Sequence, residues 1–261
     1  MLRPNAVKAR LARREPSLGA WLFMASPPAA ELLSHVGFDA LIVDLEHSPA
    51  ALGEAVDQLR AAGGRPDGPT LLARLPNVEA AVVKPVLDMG VEGLFAPALE
   101  SADEVERLVR AAYYPPRGAR GLHYTVSRAA GWGADSAAYP DHAADQTLIV
   151  VMIESEKGVA AIPEMAAVDG VDMFFIGPLD LSASIGVAGE YDSPAFMELW
   201  GEAERRILES GVALGGTILP GHPAQRLFER QYAFVTVGAD AGFLRSAAVS
   251  ALDGARRPAH D

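Results

Sequence analysis

The sequence contains no cysteine, which excludes disulfide bonds, thiolate catalysis, cysteine-ligated zinc and iron–sulfur clusters together. Any metal must sit on oxygen or imidazole ligands. Long apolar runs are absent as well, because Asp, Glu or Pro interrupts each one before the length of about 18 residues that a membrane span requires. Basic residues are in deficit. Twenty-two Lys and Arg face 34 Asp and Glu, for a formal charge of -12, so the chain as a whole repels nucleic acid and anionic membrane surfaces. The basic start (Arg3, Lys8, Arg10, Arg13, Arg14) is separated from a short apolar run by Glu15-Pro16, which predicts no signal peptide. The expectation is a soluble, cytoplasmic protein with neither nucleic-acid nor membrane partners.

What is present is ample core material. Over 261 residues, 50% are hydrophobic and 21% charged, which excludes intrinsic disorder. Eight short runs rich in Val, Ile, Leu and Phe predict strands at 18–25, 40–44, 71–75, 93–99, 148–154, 173–177, 213–219 and 234–238. Their near-continuous apolar character suits parallel strands buried on both faces. Helical patterns lie between them. Ser101 and Glu104 have capping-box spacing ahead of Val105, Leu108, Val109 and Ala112. Ser193-Pro194 opens a second pattern that stops at Gly211. Pro85 suits the pattern around Val82–Met89 only as part of its first turn. The long connection from Tyr113 to Thr147 is expected to hold a short helix near 139–145. Eight strands alternating with helices predict an α/β fold, a (β/α)8 TIM barrel. With no linker or composition break, residues 1–261 read as one domain. An open doubly wound sheet is the weaker alternative, because Ser26-Pro27-Pro28 stands where a glycine-rich dinucleotide turn would follow the first strand.

In such a barrel, function lies where strands end. Strand two runs into Asp44-Leu45-Glu46-His47, strand three carries Arg74, strand five ends in Glu154, and strand six leads to Gly177-Pro178-Leu179-Asp180. Glu154 and Asp180, at adjacent strand ends, could share a hard divalent cation such as Mg²⁺ or Mn²⁺. Alternatively, Asp180 simply caps the following helix. His47 is the best general-base candidate, against the plainer reading that it bonds Asp44 or Glu46. His35, His123, His142, His222 and His260 have surface or helix explanations. Arg74, in an otherwise apolar strand, needs an anion, either an internal acid such as Glu46 or a substrate oxygen. Asp88, near a helix C-terminus, opposes the macrodipole and needs a compensating partner, for which histidine is one option. The turn 114–121, with Arg117 and Arg120, lacks the context of a phosphate loop and is expected to be a subunit contact or a solvated turn.

These residues fall into recognisable blocks. Gly37-Phe38-Asp39 through Asp44-Leu45-Glu46-His47, Leu87-Asp88-Met89-Gly90, Tyr114-Pro115-Pro116-Arg117-Gly118, Ile153-Glu154 and Ile176-Gly177-Pro178-Leu179-Asp180-Leu181-Ser182 resemble the HpcH/HpaI aldolase family, in order over nearly the whole chain. The resemblance implies a barrel of the phosphoenolpyruvate/pyruvate type and a metal-dependent class II aldolase acting on 2-oxo acids and aldehydes, assembled as a homo-oligomer, typically a hexamer. It also implies Glu154 and Asp180 as metal ligands, His47 as the base, Arg74 as the stabiliser of an enolate oxygen, and Asp88 as the group raising the basicity of His47. Backbone N–H groups around Gly177, Pro178, Leu179 and Asp180 would receive the substrate carboxylate, with Pro178 itself contributing none. Two positions depart from the family pattern. Met152 stands where Gln is common, and Leu179 where a small residue is usual. A CoA-ester lyase of the citrate-lyase-β type is one alternative, and a barrel that binds a small carboxylate without turnover is another.

Overall fold

A computed structural model describes residues 2–63, 65 and 67–256; His260 lies outside the described residues. Eight parallel strands close a barrel in sequence order. They are β1 (Ser17–Leu22), β2 (Ala40–Asp44), β3 (Thr70–Arg74), β4 (Gly93–Ala96), β5 (Leu148–Ile153), β6 (Met173–Ile176), β7 (Ala213–Thr217) and β8 (Phe234–Ala239). All eight predicted strands are present. Their C-terminal ends come earlier than expected wherever the apolar run continues into the mouth of the barrel, as at Ala25 and Ala98, which leave the sheet with positive φ.

The barrel interior is a packed core. Trp21, Phe95, Phe175 and Phe234 meet edge-on or tilted with centroids 5.3 to 6.5 Å apart, the arrangement aromatic quadrupoles favour. Below them the N-terminal helix α1 (Ala6–Ala12) closes the bottom, inserting Val7 and Leu11. Arg3 fastens this plug through Glu92, and the Asn5 amide bonds the carbonyls of Glu92 and Gln146.

Around the barrel run α2 (Pro27–Ser34), α3 (Leu52–Ala62), α4 (Ala80–Asp88), α5 (Ala102–Ala112), α6 (Tyr139–Gln146), α7 (Glu156–Ala166), α8 (Pro178–Ser184), α9 (Pro194–Ser210) and α10 (Ala224–Glu229), whereas α11 (Asp240–Arg256) touches the barrel only through its first turn and is exposed beyond Phe243. α9 starts and stops as read from the sequence: Ser193 Oγ accepts from the Phe196 N–H, and Gly211 ends the helix in the left-handed region. α6 confirms the short helix in the long connection. Two expectations need correction. Ser101 is the N-cap residue of α5, but its hydroxyl donates to Glu104 and does not cap a backbone N–H; the Glu104 carboxylate takes the Glu100 N–H instead. Pro85 lies in the body of α4, beyond the first turn. The helix continues past it because Val83, Val86 and Leu87 are buried against the barrel, which offsets the backbone bond that proline lacks. Among the described residues no helix is long and apolar enough to cross a membrane.

Candidate active site

Strand register assembles the site. Asp44 pairs with Arg74 across β2 and β3, and Ile153 pairs with Ile176, so Glu154 and Gly177 leave the sheet side by side. Each follows an apolar strand that positions its last residue at the mouth.

Asp44 is fully buried and organises the β2 corner. Its carboxylate accepts from Arg74 Nε at 2.6 Å and from the backbone N–H groups of Glu46 and His47. Glu46 lies 3.2 Å from Arg74 Nη1 and 3.7 Å from His47 Nε2. Burial raises the Glu46 carboxyl above its ordinary range, with Arg74 and His47 opposing that shift. The guanidinium also stacks over Trp21 at 4.9 Å and Phe23 at 5.7 Å. A buried cation with two anions and an aromatic floor is held rigidly. Its third nitrogen, Nη2, has no acceptor among the described residues. Sequence reasoning gave Arg74 the choice of an internal acid or a substrate. The structure supplies two acids and leaves one nitrogen for a further oxygen. Asp44 as principal partner and Trp21 as support were missed, because both depend on closure of the barrel.

Glu154 is 8% exposed. Its Oε2 accepts from the Ala98 N–H at 2.8 Å. Burial, with Asp180 and Glu46 nearby, pushes its carboxyl up to about 7, against the opposing effects of the Ala98 N–H and Arg74. Gly177 makes room for it, since a Cβ there would stand 2.6 Å from Glu154 Oε1. Asp180, in the first turn of α8, is exposed and close enough to influence both Glu46 and Glu154. A desolvated carboxylate facing a second one, in a cradle only glycine allows, fits a small hard cation held by two protein oxygens and completed by substrate and water. Among the described residues no group of three or more His, Asp or Glu side chains that could hold a metal ion is present.

His47 is exposed at the rim, beside Glu46. Asp88 is not brought to it. Helices run antiparallel to the strands they follow, so the C-terminal end of α4 lies at the opposite end of the barrel. There Asp88 bonds Arg120 Nη2 at 2.5 Å, and the compensating cation is arginine, where histidine had been one option. Arg120 itself is buried under the Tyr114 ring at 4.6 Å, so the expectation of a solvated turn is corrected at that residue. Arg117 covers Tyr113 at 3.8 Å and faces Asp169. Met152, one inward position below Glu154 on β5, is 3% exposed among the interior aromatics and forms an apolar floor.

The family model for HpcH/HpaI aldolase/citrate lyase matches residues 17–247. The chain belongs to this family. It is a carbon–carbon lyase of the aldolase kind. A hydroxypyruvate/pyruvate aldolase of Pseudomonas aeruginosa is 39% identical over 240 residues, covering 92% of this chain and 88% of the relative. A 4-hydroxy-2-oxo-heptane-1,7-dioate aldolase of Escherichia coli is 37% identical over 247 residues, 94% of this chain and 92% of the relative. Among solved structures, an HpcH/HpaI aldolase/citrate lyase family protein from Burkholderia cenocepacia J2315 superposes with a TM-score of 0.91 at 35% identity, covering 97% of this chain and 100% of that one.

Proposed function

We propose that this protein cleaves a 4-hydroxy-2-oxo acid to pyruvate or hydroxypyruvate plus an aldehyde, and catalyses the reverse aldol addition, with Mg²⁺ or Mn²⁺ held by Glu154 and Asp180. The observation that carries this reading is the buried Glu154 carboxylate, cradled by Gly177 and facing Asp180 beside Arg74. When bound, the cation supplies charge that polarises the 2-oxo group.

The chain's own residues do the rest. In cleavage, His47 accepts the proton of the C4 hydroxyl. The C3–C4 bond breaks, the aldehyde carbonyl forms at C4, and the bonding pair remains on the pyruvate fragment as its enolate. Arg74 Nη2 donates to the enolate oxygen, with a guanidinium already fixed by Asp44 and Glu46. The N–H groups of Gly177, Leu179 and Asp180, at the start of α8, receive the carboxylate. A proton then returns to C3 and completes pyruvate.

Asp88 can serve His47 only from another copy of the chain, presented as Arg120 holds it. We therefore propose a homo-oligomer, in keeping with the hexamer that the resemblance implies, and place the enzyme in the cytoplasm. The CoA-ester alternative loses its basic surface, since Arg120 is buried and both Arg117 and Arg120 lie on the connection that enters β5 from below. Supplying a 4-hydroxy-2-oxo acid with Mn²⁺ should release pyruvate and aldehyde in equal amounts. Release of neither, across several such acids, would overturn the proposal.

A further inference from the structure

The two halves of the barrel mouth differ in kind. From β2 round to the end of β6 stand Asp44, Glu46, His47, Arg74, Glu154 and Asp180. From there round to β1 the exposed bulky side chains nearest the strand ends are apolar. Leu179 is 57% exposed, Ile218 36% and Met24 41%. Single exposed apolar residues are ordinary on any surface. These three, however, follow β6, β7 and β1, which with β8 form the consecutive run β6-β7-β8-β1 of the closed barrel, and β8 itself ends in Gly238-Ala239 without a bulky side chain.

The titratable groups near this arc are already committed or negative: His222, on the connection that carries Ile218, packs edge-on against Trp200 at 4.9 Å. Asp240, buried at the start of α11, accepts from the N–H groups of Phe23, Met24 and Ala241. Arg226 on α10 donates to the Gly221 carbonyl. Beyond Ile218, an open cavity of about 330 Å³ lined by residues 189–193 and Pro220 carries Glu190 and Asp192. A carboxylate-bearing ligand would meet apolar side chains first and two acids beyond them.

We infer that this arc is the acceptor subsite, and that it selects uncharged apolar aldehydes over aldehydes bearing a carboxylate; the inference rests on the aldolase reading above. In the addition direction the new bond joins C3 of the enolate to the aldehyde carbon, while the aldehyde oxygen takes its proton from His47. The aldehyde carbonyl must therefore face the charged half of the mouth. Its substituent is directed the other way, onto Leu179 beside Asp180 and on towards Ile218 and Met24.

The test uses the intact enzyme with Mn²⁺ and pyruvate. kcat/KM for addition is measured for unbranched alkanals of increasing length and for ω-carboxy aldehydes of matched length. Exchange of the pyruvate methyl protons without acceptor is followed on the same preparation. kcat/KM should rise with chain length, by about fourfold per fully buried methylene. The carboxylated series should lie at least about tenfold lower, as like charge placed near like charge is penalised. Ile218→Ser and Met24→Ser should each flatten the chain-length dependence. Normal exchange with equal or better use of the carboxylated aldehydes, or with no rise along the alkanal series, overturns the inference alone. Loss of exchange in the unmodified protein overturns the aldolase reading beneath it.

Discussion

Gly177→Ala is the smallest change that should disable the Glu154–Asp180 pair. Gly177 has φ −94, so alanine meets no backbone penalty there; the effect is purely steric. The added Cβ would sit 2.6 Å from Glu154 Oε1, 2.8 Å from Cγ and 3.1 Å from Cδ, and the first two distances are shorter than atoms tolerate without movement. The carboxylate cannot simply slide away. Its other oxygen is held by the Ala98 N–H at 2.8 Å, and the Ile153–Ile176 register fixes both backbones. It must rotate out of its cradle and surrender the Ala98 bond. Overpacking of this kind costs about 1–3 kcal/mol of stability, and displacing a metal ligand's support typically weakens affinity about 10–100-fold. Gly201→Ala is the matched control, since its Cβ meets nothing within 4 Å on α9 and should stabilise the helix by about 1 kcal/mol. Urea unfolding and calorimetric titration with Mn²⁺ read both effects. A Gly177→Ala protein that unfolds like the parent and binds Mn²⁺ equally well would show that the cradle does not hold the ion.

Three further outcomes are expected. His47→Ala should lower kcat by about 10²–10⁴ with Mn²⁺ affinity little changed, and Arg74→Lys should be similarly severe because one ammonium cannot reproduce the contacts to Asp44 and Glu46; steady-state kinetics on both variants decide this. Asp88→Ala should destabilise the fold by about 2–4 kcal/mol, since it strips a buried arginine of its carboxylate, a loss moderated by the partial exposure of Asp88; chemical denaturation reads the difference. Borohydride with pyruvate should leave no covalent adduct, because of the three lysines Lys8 bonds Asp172 at the foot of the barrel, Lys84 lies on α4 beside Gly121, and Lys157 pairs with Glu100 at the start of α7; a mass increase on any lysine would indicate Schiff-base chemistry.

The barrel was legible because parallel strands buried on both faces must be apolar along their whole length, and runs such as Leu148–Ile153 show that directly. Polar residues at the ends of such runs stand out, which is why His47, Arg74, Glu154 and Asp180 could be named and are found around one mouth. What could not be read were contacts that exist only once the ring closes. Asp44 appears in sequence as the end of an apolar strand, yet register with β3 places it against Arg74. Trp21, from β1, reaches the same guanidinium across the interior. Arg120 has the sequence surroundings of a surface turn. Its burial follows from Tyr114, Tyr139 and Asp88 converging from three separate segments. Met152 stands out as a departure from the family pattern, and only strand alternation reveals that it faces the packed interior.

Exchange of pyruvate methyl protons with deuterated water, with and without EDTA, tests the central claim most directly, because exchange requires an enolate whatever the acceptor. With Mg²⁺ or Mn²⁺ present, the methyl resonance should decay. Chelation should stop the decay while circular dichroism shows the barrel still folded, and added cation should restore it. Exchange that continues unchanged after exhaustive chelation would contradict the assignment of Glu154 and Asp180 as the seat of a metal-assisted enolate.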